Sequence, residues 1–214
     1  MKKLFLFSFV LALFSCNQMY CTHLIGGNLG YEFIGQLPSG EYTYKIILTT
    51  YTNCGPGSNI PEPEGPDLIV GIYQHDIQNS PLQGVDKVWL QDITITLIDS
   101  NKIEPDLPNG CTIGSSSCIY KGVYEGFVNL PLNFTGYHIL YERCCRNNSI
   151  VNLVPQESMT FHAYISPPLL QNNSPQFTDD PIPFLCVGDT TTILNTAFDP
   201  IELDFIHSFV FKKL

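Results

Sequence analysis

The chain has 214 residues, and its 20 acidic against 10 basic side chains give a formal charge of −10. A nucleic-acid partner requires a basic stripe that neutralises phosphates, and an anionic membrane surface attracts a polybasic segment. Neither pattern is present, because Lys2, Lys3, Lys212 and Lys213 stand at the extreme ends and leave few basic residues between them. Composition therefore excludes both kinds of partner.

Residues 1–21 have the pattern of a secretory signal peptide. Two lysines precede an apolar run at residues 4–14, which is too short to span a bilayer as a stable helix. The Leu-Phe-Ser-Cys sequence that ends at Cys16 resembles a lipoprotein box, so lipidation of Cys16 competes with cleavage near Cys21. We expect export to the extracellular space or the outer-membrane surface, with the membrane reached only through this N-terminal lipid.

The next part of the chain alternates short apolar runs with turn signals. The runs predicted as strands are residues 22–33, 41–53, 68–73, 88–97, 119–130, 137–141, 150–154 and 158–165. In the second of them, Tyr42, Tyr44, Ile46 and Leu48 share one face. About seven or eight strands without a convincing amphipathic helix are typical of an all-β fold, and we predict an immunoglobulin-like β-sandwich over residues 22–168.

Two features of these runs predict how they pack. Gly26, Gly27 and Gly30 interrupt the first strand, and no helix follows them as a phosphate-binding loop would require. We therefore expect a bulge or the close approach of another backbone. Trp89 stands at the start of a strand without a second exposed aromatic evident beside it, so we predict core packing rather than a stacking platform for sugar.

Residues 169–182 have the composition of a linker between domains, with Asn-Asn-Ser-Pro and Asp-Asp-Pro sequences. Beyond it, residues 184–187 and 191–194 are patterned like opening strands. We therefore predict that residues 183–214 are the start of a second, incomplete immunoglobulin-like or cadherin-like β domain.

Beyond the signal region the sequence contains Cys54, Cys111, Cys118, Cys144, Cys145 and Cys186. In an exported chain such an even set indicates disulfides, each worth about 2 to 4 kcal/mol, rather than a nucleophile. Cys144 and Cys145 adjoin at the end of a strand, so their side chains diverge towards different partners. We predict that Cys111 pairs with Cys118, and that Cys144 and Cys145 take Cys54 and Cys186 in an order that the sequence leaves open.

Several short motifs follow one another in a characteristic order. They are Thr-His-Leu-Ile-Gly-Gly at 22–27, Tyr-Glu-Arg-Cys-Cys-Arg-Asn at 141–147, Asn-Ser-Pro at 173–175, Cys-Val at 186–187 and Ala-Phe-Asp-Pro at 197–200. In this order and spacing they resemble the N-terminal region of large secreted Bacteroidetes proteins that end in a gliding-motility-associated C-terminal domain. The Arg-Cys-Cys-Arg-Asn element is the specific one.

The resemblance implies repeated immunoglobulin-like and cadherin-like modules, export by the type IX system, and a structural or adhesive role at the cell surface without catalytic residues. Where the family continues with an Asp-Gly-Asp turn, this chain reads Ile-Glu-Leu-Asp at 201–204. We therefore expect a truncated reading of a longer surface protein. Its expected partners are other modules of that protein, or a glycan or protein of a cell surface.

Calcium is the one cofactor that the resemblance suggests, because cadherin-like modules bind it with carboxylates at domain junctions. The candidate ligands are Asp179, Asp180, Asp199 and Asp204. The alternative for these residues is a solvated acidic linker. Zinc is not expected, because the histidines are scattered along the chain and are predicted to be strand-surface residues.

The basic residues around the cysteine pair have simpler expected roles. Arg143 and Arg146 are expected to pair with Glu142 or Glu157, or to hydrogen-bond strand carbonyls.

An enzyme would require converging histidines and carboxylates, and no spacing in the sequence predicts them. We therefore expect a non-enzymatic secreted or cell-surface module with a structural or adhesive function. The alternative is a surface lipoprotein that binds a glycan or a small ligand, which an exposed aromatic cluster would favour.

Overall fold

A computed structural model of the protein describes residues 24–54, 64–75, 87–103, 111–112, 118–144, 157–181, 196–200 and 205–206. The strands are β1 Leu24–Gln36, β2 Tyr42–Asn53, β3 Asp67–His75, β4 Lys87–Lys102, β5 Ile119–Leu130, β6 Tyr137–Arg143, β7 Met159–Ile165, β8 Gln176–Phe177, β9 Ala197–Phe198 and β10 Phe205–Ile206. A 3₁₀ helix of three residues, Pro168–Leu170, follows β7. No helix in the described ranges is long and apolar enough to cross a membrane.

The all-β fold predicted from the sequence is confirmed. In β2 the residues predicted to share a face, Tyr42, Tyr44, Ile46 and Leu48, are all buried. The strand predicted at 88–97 forms the first part of β4, which continues to Lys102. The predicted signal peptide and the strands predicted at 150–154, 184–187 and 191–194 lie outside the described residues.

Strands β1 to β7 form one antiparallel sheet in the order β1-β2-β5-β4-β3-β6-β7. The long strand β4 changes partner along its length, because its first part pairs with β3 and its last part, from Thr96 onward, pairs with β5. At the two edges of this order, β1 and β7 contact each other. The sheet therefore curls around a single core, and its other face is turned outward.

The core lies on the inner face of the curled sheet and is rich in tyrosine and β-branched residues. Tyr44, Ile46, Ile95 and Ile139 are almost wholly inaccessible to solvent. Tyr44 also packs edge-on against Tyr31 of β1, with ring centroids 5.9 Å apart. Burying a side chain of this size contributes about 1.5 to 3 kcal/mol, so the inner face supplies the main stabilisation of the sheet.

The expected close approach at the glycines of β1 is confirmed. The register of β1 against β2 shifts between Leu24 and Gly26, which indicates a bulge. At Gly27 an added Cβ would lie 2.2 Å from the carbonyl oxygen of Thr49 and 3.1 Å from the Phe161 ring of β7. Because Gly27 has no side chain, β1 can lie against both neighbouring strands.

A disulfide joins Cys54 to Cys118, with their Cα atoms 4.9 Å apart. The predictions that Cys118 pairs with Cys111 and that Cys54 pairs with Cys144 or Cys145 are therefore wrong. Cys54 follows the last residue of β2 and Cys118 precedes β5, and these strands pair side by side, so the ladder brings the two cysteines together. Cys111 and Cys144 are each disulfide-bonded as well. Cys145 and Cys186 lie outside the described residues.

After the 3₁₀ helix the chain returns to β1 and docks along its open edge. The backbone N–H of Phe33 donates to Asn173 Oδ1 at 2.7 Å. The backbone N–H of Tyr31 donates to Ser174 Oγ at 2.8 Å. The Ser174 N–H donates in turn to the Tyr31 carbonyl at 2.9 Å. Residues 173–180, here called the docked segment, thereby satisfy backbone groups that an unpaired edge strand would offer to another chain.

The docked segment includes β8, which forms a small antiparallel sheet with β9 and β10 in the order β10-β9-β8. It therefore links the seven-stranded sheet to strands that fall within the predicted second domain. The domain boundaries at 168 and 183 and the immunoglobulin-like arrangement of the strands stay predictions.

Candidate ligand-binding face

Four ring side chains form a row across the outer face of the sheet. The strand registers pair Trp89 of β4 with Tyr73 of β3, Tyr73 with His138 of β6, and His138 with Tyr164 of β7. Directly opposed residues of antiparallel strands project from the same face and lie about 5 Å apart. We call Trp89, Tyr73, His138 and Tyr164 the ring row. Trp89 is 57% exposed and Tyr164 is 42% exposed, so the row is open to solvent at both ends.

The prediction that Trp89 packs in the core is wrong, and a β-bulge is the reason. Counting alternate positions back from the core-facing Ile95 and Ile93 would place Trp89 on the inner face. The register shifts between Ile72 and Tyr73, so that Trp89 pairs with Tyr73. The extra residue in β4 reverses the alternation, and the indole lies on the outer face.

The next row on the same face supports the rings. It consists of Asp92, Gly71, Leu140 and His162, which are neighbours through the same ladders. Trp89 Nε1 donates a hydrogen bond to Asp92 Oδ1 at 2.9 Å. A Cβ added at Gly71 would lie 2.8 Å from Cε2 of Tyr73. The missing side chain at Gly71 therefore gives the Tyr73 ring room to lie along the sheet, and the hydrogen bond to Asp92 holds the indole.

His138 is linked to the second row by a histidine pair. His138 Nδ1 lies 2.7 Å from His162 Nε2, and the two rings are stacked with centroids 5.0 Å apart. His138 is buried and lies 5.1 Å from the Tyr164 ring. In this hydrogen bond one ring nitrogen must donate and the other must accept. Protonation of both rings at once would therefore set two N–H groups against each other.

The surroundings of His162 disfavour its charged form. Desolvation by its neighbours lowers its pKa below the ordinary 6.5, and the positive charge of Lys87 lowers the pKa further. As the pH falls through 6.5, the unfolded chain therefore takes up this proton before the folded chain does. The contribution of His162 to stability is complete above pH 6.5 and decreases as the pH falls towards the folded-state pKa.

We expect the wild-type protein to lose more thermal stability than the His162→Gln variant between about pH 7.5 and about pH 5.5, where carboxylates remain ionised. Glutamine can keep a hydrogen bond to His138 but does not titrate. Melting temperatures across this range measure the effect, and the histidines outside the His138–His162 pair contribute equally to both proteins. An equal or larger loss in the variant would show that His162 is not a source of the pH dependence.

A second polar cluster lies on the inner face of the sheet and is centred on Glu64, whose side chain is only 2% exposed. The Tyr141 hydroxyl donates to Glu64 Oε2 at 2.5 Å, and Arg143 Nε lies 3.2 Å from the same oxygen. Burial raises the pKa of Tyr141, and its hydrogen bond to Glu64 raises that pKa further. Glu64 Oε1 and the Tyr124 hydroxyl are buried and have no hydrogen-bond partner among the described residues.

This cluster corrects the expected partner of Arg143. The sequence suggested Glu142 or Glu157, which are close in the chain, but the ion pair is formed with the distant Glu64. Arg143 is the last residue of β6, and Glu64 stands shortly before β3. The pair therefore fastens the chain at the start of β3 to the end of the strand that carries Cys144.

Two of the candidate calcium ligands, Asp179 and Asp180, lie in the docked segment. It borders a cleft of about 290 Å³ on the outer face of β1 and β2. Asp180 forms an ion pair with Lys121 at 2.5 Å, and Asp179 accepts a hydrogen bond from Thr178 at 2.9 Å. Asp199 is buried, and Asp204 lies outside the described residues.

Two of the four candidate carboxylates therefore already have partners: Asp180 is paired with Lys121, and Asp179 accepts from the Thr178 hydroxyl. Among the described side chains, no group of three or more His, Cys, Asp or Glu could hold a metal ion. The calcium site stays a prediction.

Comparisons with protein-family models, curated proteins and solved structures found no match.

Proposed function

We propose that the chain is a non-enzymatic module of a secreted or cell-surface protein, and that it adheres to its partner through the ring row. The exposure of Trp89 and Tyr164 at the two ends of an ordered line of rings supports this proposal most directly. The alternative from the sequence, a surface lipoprotein that binds a ligand, gains support from the same row. In both cases the binding face is the outer face of β4, β3, β6 and β7.

The exposed indole of Trp89 is a large apolar surface that the fold leaves without a packing partner over more than half of its area. Aromatic side chains bury 150–250 Å² when they pack, so an exposed one leaves a large contact area unused. Contiguous exposed apolar surface on a folded domain marks an interaction site more often than chance exposure does. Trp89 is further fixed by Asp92, and a fixed ring loses little conformational freedom on binding.

The proposed setting follows from the N-terminal signal pattern and from the family resemblance. A disulfide between Cys54 and Cys118 is consistent with an oxidising, extracytoplasmic compartment. We propose the extracellular space or the outer-membrane surface, type IX export of the longer protein, and other modules of that protein or a cell-surface glycan or protein as partners. Lipidation at Cys16 remains part of the alternative.

Adhesion is testable with the purified chain coupled to beads and passed over immobilised bacterial cells and their extracellular matrix. We expect Trp89→Ala and Tyr164→Ala to lower bead retention at least about fivefold, because each removes an exposed ring from the contact. Phe177→Ala is the matched control, since Phe177 is 54% exposed but lies on β8, away from the ring row. Absence of retention, or equal retention of all variants, would overturn the proposal.

A further inference from the structure

We infer that the ligand of the ring row is a neutral carbohydrate chain that lies across strands β4, β3, β6 and β7. The inference rests on the proposed function, because it assigns a chemical class to the ligand of the same face. A sugar ring presents C–H groups on its faces and hydroxyl groups around its rim. A site that binds a sugar ring therefore offers flat aromatic surfaces to its faces and polar groups to its rim.

The ring row and its neighbours provide both kinds of contact. The indole of Trp89 and the ring of Tyr164 are exposed apolar surfaces, and the Tyr73 ring lies along the sheet over Gly71. Asp92 and His162 stand in the next row, within reach of hydroxyl groups on a sugar stacked against the rings. Carboxylate and imidazole groups exchange hydrogen bonds with hydroxyls readily.

The spacing of the row fits a chain of sugars. Neighbouring strands lie about 4.8 Å apart, so the three intervals from β4 to β7 place Trp89 about 14 Å from Tyr164 along the row. An extended, β-linked pyranose chain repeats at nearly the same interval as neighbouring strands. A short oligosaccharide can therefore extend from Trp89 over Tyr73 to Tyr164 without bending, passing over the buried His138.

Other ligand classes fit this face less well. Nucleic-acid bases also stack on aromatic rings, but single-stranded nucleic acid requires a basic groove along its backbone, and the chain carries a net charge of −10. A peptide that extends a sheet pairs along the edge of one strand, whereas the ring row runs across the outer face of four neighbouring strands. A neutral polymer with apolar ring faces and hydroxyl rims matches the exposed rings and the polar Asp92 and His162 beside them.

The test is affinity electrophoresis of the whole chain in native gels that contain soluble β-glucan, xylan or galactomannan. We expect at least one polysaccharide to retard the wild-type protein, and Trp89→Ala to abolish the retardation. Gly71→Ala should weaken it about tenfold, because its new methyl group displaces the Tyr73 ring from the sheet surface. Phe177→Ala should migrate like the wild type, and circular dichroism checks that every variant is folded.

Calorimetric titration with oligosaccharides of increasing length then tests the geometry. We expect affinity to rise about tenfold from a disaccharide to a tetrasaccharide of the retarding polymer and then to level off, because the row has a finite length. The carbohydrate assignment is overturned if no polysaccharide retards the wild type, or if Trp89→Ala is retarded equally. If Trp89-dependent bead adhesion persists in that case, the adhesive function stands and only the ligand class is wrong. If adhesion is also absent, both proposals fail.

Discussion

Replacing Gly27 by alanine is expected to lower the free energy of unfolding by about 3 kcal/mol. The new methyl carbon would lie 2.2 Å from the backbone oxygen of Thr49, and a backbone atom within a paired strand cannot move aside as a side-chain tip can. On its other side the methyl group would meet the Phe161 ring. Relief of the clash therefore requires β1 to withdraw from β2 or from β7, which exposes part of the core.

The adjacent glycine supplies the matched control. An added Cβ at Gly26 meets no atom within 4 Å, so Gly26→Ala should change stability by less than about 0.5 kcal/mol. Urea denaturation of the two variants and the wild type, with disulfides intact, measures the difference. Equal stability of the two variants would show that β1 does not approach β2 as closely as described.

Replacing Glu64 by alanine is expected to lower the free energy of unfolding by about 2 kcal/mol. The substitution leaves the buried Tyr141 hydroxyl without its acceptor and removes the counter-charge of Arg143. Because the Arg143 side chain is 42% exposed, water partly compensates its charge, and the loss is smaller than for a fully buried ion pair. Glu64→Gln should cost less, since it keeps an acceptor for the tyrosine.

Glu157→Ala is the control for this experiment, because Glu157 was a candidate partner of Arg143 from the sequence and is exposed in the structure. It should leave stability within about 0.5 kcal/mol of the wild type. Urea denaturation again gives the free energies. A loss on Glu157→Ala as large as that on Glu64→Ala would contradict the assignment of Glu64 as the counter-ion.

Local sequence patterns predicted the all-β fold and much of its inner face. Alternation in β2 placed Tyr44, Ile46 and Leu48 on one face, and the structure buries that face. The lack of a following helix indicated that the glycines of β1 allow a close approach, which Gly27 shows. These predictions succeeded because side-chain alternation and the space left by glycine depend on neighbouring residues alone.

The residues of the candidate site could not be recognised in the same way. His138 and His162 are scattered histidines in the sequence, and only the register of β6 against β7 places their nitrogens 2.7 Å apart. Glu64 and Arg143 are likewise far apart in the chain and meet only in the fold. A stronger sequence signal was available for the rings, since Tyr73, His138 and Tyr164 lie within predicted strands, but their alignment depends on strand order.

The sequence by itself determined most strands of the large sheet, the faces of β2 and the acidic balance from which we expect no nucleic-acid partner, because each depends on composition or on spacing within one segment. The tertiary structure decided which strands are neighbours, and therefore that Cys54 joins Cys118. It also decided the position of Trp89, because a one-residue bulge opposite Ile72 and Tyr73 reverses the alternation of β4. A side chain's face follows local periodicity only while the pairing is regular, and here the irregularity places the one tryptophan on the proposed binding face.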